Sequence, residues 1–134
     1  MAYIGQSPAR KALTASDIAD DLITSAKLNY SETTLTDQAT ITWDASTQDV
    51  AKVTLAGNRT LGSASSGTTG QFISLLIIQD GTGSRTLTWN AAYEFASDTA
   101  PTLTTTASKG DVFVFRYNGS KWLEVGRNTA LTLS

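Results

Sequence analysis

Gly70-Gln-Phe-Ile-Ser-Leu-Leu-Ile-Ile-Gln-Asp-Gly-Thr-Gly-Ser-Arg-Thr-Leu-Thr-Trp89 is the stretch on which the reading of the fold turns. Between Phe72 and Ile78 nearly every residue is apolar. A strand sends alternate side chains to opposite faces, so Phe72, Leu76 and Ile78 point one way and Ile73, Leu75 and Ile77 the other. Both faces therefore call for cover: one by a core, the other by a second layer or a neighbouring subunit. Asp80-Gly81-Thr82-Gly83 has the residues that tolerate positive φ in short loops. The alternating segment Arg85 to Trp89 is accordingly expected to return alongside as an antiparallel hairpin.

Working outward, the C-terminal side repeats the pattern. Val112-Phe-Val-Phe-Arg-Tyr117 is a second strand apolar on both faces. Asn118-Gly119 is the strongest short hairpin signal in the chain, and Ser120 to Val125 pairs back across it. On the N-terminal side, Ala39 to Trp43, Val50 to Leu55 and Arg59 to Leu61 read as strands, and Gly62 to Gly70 as a long loop. Ile41-Thr-Trp-Asp is echoed by Leu87-Thr-Trp-Asn, and Asn58-Arg-Thr-Leu by Ser84-Arg-Thr-Leu. With no period beyond two copies, the echoes read as reuse of a hairpin unit rather than a solenoid. Seven or eight short strands predict an all-β chain, an antiparallel β-sandwich or small barrel of jelly-roll type.

The first 35 residues differ in chemistry. Met1 to Arg10 reads as an extended arm, and Thr14 to Leu28 as a short helix whose Ile18, Leu22, Ile23 and Leu28 need a surface to pack on. The expected organisation is an arm over residues 1–35 and a β domain over 36–134. Ile4, Ile18, Leu22, Ile23 and Leu28 are the candidate anchoring contacts. The start of the chain lacks the layout of a cleaved export signal, and no apolar run reaches membrane-span length.

Composition removes several chemistries. The 134 residues carry a net charge of -2 with 16% charged residues and no cysteine or histidine. No basic field exists for nucleic acid. Thiol nucleophiles, Cys-type zinc sites and the commonest general base are missing as well. Asp44, Asp49, Asp80, Asp98 and Asp111 fall at turns, where an Asp side chain bonds backbone; Asp80 and Asp111 are the two that could hold a surface cation. No catalytic, cofactor or metal residues are assigned, and an enzyme is not expected. A glycan-cleaving enzyme would need two carboxylates converging in one cleft.

Aromatic residues leave two readings open. Trp43, Trp89, Tyr93, Phe95, Tyr117 and Trp122 alternate in phase with Ile, Leu or Val, which favours core packing. A sugar-stacking face is the sharper alternative, with Trp89, Tyr93 and Trp122 as its candidates.

Three stretches together resemble known proteins. Met-Ala-Tyr-Ile-Gly-Gln-Ser-Pro8 is similar to the start of tailed-bacteriophage structural proteins, and Ile23-Thr-Ser-Ala-Lys-Leu28 to segments of phage fibre shafts. Thr54-Leu-Ala-Gly-Asn-Arg-Thr-Leu61, Gln79 to Trp89 and Tyr117 to Val125 resemble a β domain of phage fibres and virion appendages. The resemblance implies a non-enzymatic homotrimer located in the virion. The chain is short for a tail fibre, so a capsid decoration (cement) or head-fibre protein, held by its N-terminal arm to the major capsid protein or another virion protein, is the leading expectation. A short tail fibre that binds host surface glycans is the alternative.

Overall fold

The apolar run becomes β5 (Phe72–Gln79), and its two faces separate as the alternation requires: Ile73, Leu75 and Ile77 are buried, while Phe72, Leu76 and Ile78 are not. Burying each inward side chain is worth roughly 1.5–3 kcal/mol. The computed structural model describes residues 31–134, which form one compact unit, Ser31–Ser134. The expected arm and helix, with Ile4, Ile18, Leu22, Ile23 and Leu28, lie outside the described residues.

Eight further strands accompany β5: β1 (Thr33–Thr34), β2 (Thr40–Asp44), β3 (Val50–Leu55), β4 (Arg59–Ser65), β6 (Leu87–Trp89), β7 (Tyr93–Glu94), β8 (Lys109–Tyr117) and β9 (Trp122–Thr132). They build a six-stranded sheet in the order β1-β3-β5-β8-β9-β7 and a three-stranded sheet in the order β2-β4-β6. The inward residues of both meet in one core, where Ile41, Trp43, Val53, Leu55, Leu61, Ile73, Leu75, Phe113, Phe115 and Trp122 are almost fully buried. The described residues are thus all-β and layered, as expected.

Strand pairing departs from the antiparallel expectation. From β1 to β6 the chain alternates between the sheets, and every pairing among these strands is parallel: β1 with β3, β3 with β5, β2 with β4, β4 with β6. The N-terminal half of the unit is therefore a short flattened coil rather than a series of hairpins. Only β8 with β5 and β9 with β8 are antiparallel. The two echoed segments occupy β2 and β6, which flank β4 in the same sheet. Ile41 stands in register with Leu61 and Leu61 with Trp89, so the echo runs two residues out of phase with the ladder. Thr33 pairs with Ala51 and Ala51 with Leu75, whereas Thr40 pairs with Thr60 and Thr60 with Thr88. Coils of such unequal length leave no period to read.

The expected hairpin between Phe72–Ile78 and Arg85–Trp89 does not form, because the chain turns a corner between sheets instead of doubling back. Buried Gln79 decides this: its amide nitrogen donates to Arg85 O at 2.9 Å, and its amide oxygen accepts from Arg85 N at 2.8 Å. A side chain thereby takes both backbone groups that a hairpin partner would have used. Asp80 Oδ1 accepts from the Thr82 and Gly83 amides, closing the loop on itself. Gly83 (φ +74) has no room for a Cβ, which would lie 2.6 Å from Thr105 O. By contrast, Asn118-Gly119 delivers the β8–β9 hairpin as read, with Tyr117 opposite Trp122, and β9 runs on to Thr132.

The segment Gly62–Ser65, expected as loop, is the second half of β4. Its register against β2 steps between Ile41 and Trp43, a bulge in which Leu61 opposes Ile41 but Ala64 opposes Trp43.

Candidate functional site

The connection after β6 leads along the rim of the core into β7 and then a 3-10 turn at Ala96–Asp98. Around it lies a cleft of about 250 Å³ lined by Trp89, Asn90, Glu94, Asp98, Ala100 and Lys121, with Tyr93 and Phe95 beneath. The parallel pairing of β7 with β9 sets Glu94 opposite Leu123 and brings Lys121 close, so that its Nζ lies 2.8 Å from Glu94 Oε2. Ser97 and Asp98 both adopt positive φ, 56° and 51°. Such backbone is costly for residues other than glycine and is kept only where its surroundings impose it.

Two carboxyl groups meet here. Asp98 and Glu94 hydrogen-bond each other, and this raises Asp98 above its ordinary carboxylate range, with the charge of Glu94 adding to the effect. Glu94 is lowered, first by its hydrogen bond to Lys121 and then by the one to Asp98. The arrangement favours the charged form of Glu94 and the protonated form of Asp98. Their direct contact differs from the spacing of roughly 5–9.5 Å at which two carboxyl groups flank a glycosidic bond. A hydrogen-bonding edge next to an aromatic wall is what the cleft offers chemically.

That wall is Trp89. It is half-buried, meets Tyr93, Phe95 and Phe113 edge-on at centroid distances of 5.7, 5.1 and 4.9 Å, and donates from Nε1 to Pro101 O at 3.2 Å. The ring is fixed from behind while part of it faces the cleft.

The other two sugar-stacking candidates are core residues. Trp122 is fully buried, donates from Nε1 to Ala64 O at 3.0 Å, and lies so close over Gly67 that a Cβ there would come within 2.6 Å of the ring. Tyr93 is 4% exposed; its hydroxyl donates to Gly62 O at 3.0 Å and accepts from Ala64 N at 3.1 Å, serving both backbone groups at the β4 bulge. Burial pushes its phenol well above the ordinary tyrosine value. Neither ring presents a face to a ligand, because each is needed where the two sheets join. Phase with neighbouring apolar residues signalled this; the polar partners, far off in sequence, did not.

The turn aspartates are engaged in several ways. Asp44 accepts from the Ser46 hydroxyl and amide at 2.7 and 3.0 Å, which lowers it, and Asp80 is lowered by its hydrogen bonds from Arg85. Asp49 accepts instead from the Gln71 side chain. Asp111 is on β8 rather than at a turn, buried, and accepts from Thr104 N at 2.7 Å and Ala130 N at 2.9 Å. Asp80 and Asp111 thus spend their oxygens on the protein itself, and among the described residues no three acidic side chains gather as a cation site. Glu94, which sequence reading passed over, became a site residue through its contacts with Lys121 and Asp98; an acidic residue between two aromatic ones, beside Trp89, was its one local signal.

A second hollow of about 240 Å³ lies by the first coil, among Thr34, Thr36, Trp43, Gln48 and Ser65. Trp43 is buried there and donates to Gln48 O at 2.7 Å, so its ring is not offered.

These features define an all-β module whose charged groups mostly brace turns and corners and whose rim carries one cleft of mixed aromatic and polar character. A family model described as "Putative phage tail fibre C-terminal domain" matches residues 29–122, and the chain belongs to that family. It is a structural component of a phage virion. No match is found among curated proteins.

Proposed function

We propose that this chain is a short tail fibre whose β domain contacts the host surface and takes a glycan in the cleft beside Trp89. The family match over residues 29–122 carries the reading and favours tail fibre over capsid decoration or head fibre. The cleft supports it chemically: a ring covers the apolar face of a sugar while Glu94, Asp98, Asn90 and Lys121 hydrogen-bond its hydroxyls. At about 250 Å³ it suits one sugar ring better than an extended chain. In this reading the fibre is a homotrimer without enzymatic activity, and residues 1–30 attach it to the rest of the virion.

A glycan array probed with the full chain tests the binding. Saturable binding to particular host glycans is expected, with Asp98→Ala and Lys121→Ala each weakening it about tenfold or more while the thermal melt stays close to that of the wild type. Binding that survives both substitutions would remove the cleft from the reading, and a blank array would remove glycan recognition.

A further inference from the structure

The Asn118-Gly119 tip of the β8–β9 hairpin holds chemistry that its role as a turn does not use. Asn118, Gly119 and Ser120 are all exposed. The Asn118 side chain folds back over the turn, and its Oδ1 accepts from Ser120 N at 2.9 Å and from Lys121 N at 2.7 Å. Amide dipoles aimed at one carbonyl oxygen draw charge from its carbon and stabilise an oxyanion, as they do in the oxyanion hole of an acyl-transfer enzyme. The carbon made electrophilic in this way is Asn118 Cγ.

The matching nucleophile is the next backbone nitrogen. Among the described residues the Gly119 N–H has no hydrogen-bond acceptor, and glycine, at φ +96, offers no side chain to screen it. The two reacting groups sit on adjacent residues, so closing a five-membered ring brings in no distant group. Similar stretches lack one part or another. Asn90 Oδ1 accepts from Ala92 N alone at 2.9 Å and Asn58 Oδ1 from Thr86 N at 3.0 Å, and both, like Asn128, precede a residue that carries a side chain. Asp80-Gly81 comes closest, because Asp80 Oδ1 accepts from Thr82 N and Gly83 N at 3.0 and 2.8 Å. Its hydrogen bonds from Arg85 favour the ionised carboxylate, which repels a nucleophile where an uncharged amide does not.

We propose that Asn118 is a site of spontaneous deamidation, a slow chemical change built into the hairpin tip. Gly119 N gives its proton to solvent hydroxide and bonds to Asn118 Cγ. The Cγ–Nδ2 bond then breaks, and with a proton from water the nitrogen leaves as ammonia. Water opens the resulting succinimide, at Cγ to leave aspartate or at the Asn118 backbone carbonyl to leave isoaspartate. The net change consumes water and releases ammonia, with no oxidant or cofactor. Either product adds a negative charge to a chain whose net charge is -2. Isoaspartate also lengthens the backbone of the turn by a methylene and takes the acceptor away from the Ser120 and Lys121 amides. The next pair along the hairpin is Tyr117 opposite Trp122, whose indole ties β9 to β4 at Ala64, so conversion loosens the hairpin beside a core contact.

The full chain, held folded in mildly alkaline buffer and sampled over time, tests this by peptide mass mapping together with enzymatic methylation of isoaspartyl groups. Conversion is expected at Asn118 ahead of Asn58, Asn90 and Asn128, in protein that keeps a β-type circular dichroism spectrum. The aged protein is expected to melt below the fresh protein. Asn118→Ser, whose hydroxyl can still accept from the turn amides, is expected to lose both the methyl label at this position and the fall in melting temperature. Conversion at Asn118 that requires urea, or that follows another of these asparagines, would overturn the site, because the turn would then protect the amide instead of activating it. A converted protein with an unchanged melt would overturn the loosening of the hairpin.

Discussion

The coil from β1 to β6 and the ribbon of β8 and β9 share one core but are held together differently. In the ribbon, partners are joined by a tight turn: Gly119 at φ +96 follows Asn118, whose side chain accepts from the amides of Ser120 and Lys121 at 2.9 and 2.7 Å. In the coil, neighbours in a sheet are separated by a whole circuit of chain. There the corners are held by side chains standing in for backbone, as Gln79 does for Arg85 and Tyr93 for the β4 bulge. The contrast teaches that the ribbon is a local structure and the coil a tertiary one. Damage at a coil corner should therefore spread, while damage to an exposed charge pair should not.

The largest effect is expected where the two regions lock. Trp122 begins the second ribbon strand, yet its indole reaches the coil at Ala64 and its amide reaches Ala92. Trp122→Ala should cost about 3–5 kcal/mol in urea unfolding, the range for removing a large buried aromatic side chain. If the loss were below about 1 kcal/mol, the two regions would not depend on this contact.

A smaller loss is expected inside the coil. Tyr93→Phe keeps the ring but strips the bulge of its hydroxyl, leaving Gly62 O and Ala64 N without that partner. About 1–3 kcal/mol should be lost, the cost of unsatisfied buried polar groups. A neutral result would mean that the bulge finds other partners.

The smallest effect belongs to the charged corner. Arg59 donates from Nε and Nη2 to the two Asp37 oxygens at 2.8 and 2.7 Å, and this hydrogen bonding holds Asp37 below its ordinary value of 3.8. A depressed folded value means that the contribution is complete above 3.8 and fades as pH falls through the lower one. Asp37→Asn should thus lower the melting temperature slightly near neutral pH and shrink the drop between about pH 5 and pH 2. An unchanged acid profile would show that the pair contributes nothing measurable.

Legibility followed the same division. The faces of β5, the span Val50–Leu55 and the Asn118-Gly119 hairpin could be read from alternation and turn chemistry, because each is settled within about ten residues of chain. Parallel pairing could not be read: Asp80-Gly81-Thr82-Gly83 has hairpin residues, and what redirects it is a buried amide together with a loop more than twenty residues away at Thr105. The cleft was half legible. Trp89 stood out by type, but Glu94, Asp98 and Lys121 gain their role from contacts that span up to 27 positions.

By itself the sequence determined that the domain over the described residues is all-β with a strand apolar on both faces, and that the chain lacks the histidine and cysteine on which much catalysis relies. Periodicity and composition are local or additive properties, and they survive without knowledge of the fold. Tertiary structure alone decided which strands are neighbours, that Trp89 reaches the rim, and that among the described residues one face of the large sheet is left open. Those outcomes depend on which distant polar groups find each other on burial, where a missing partner costs more than a local turn preference contributes.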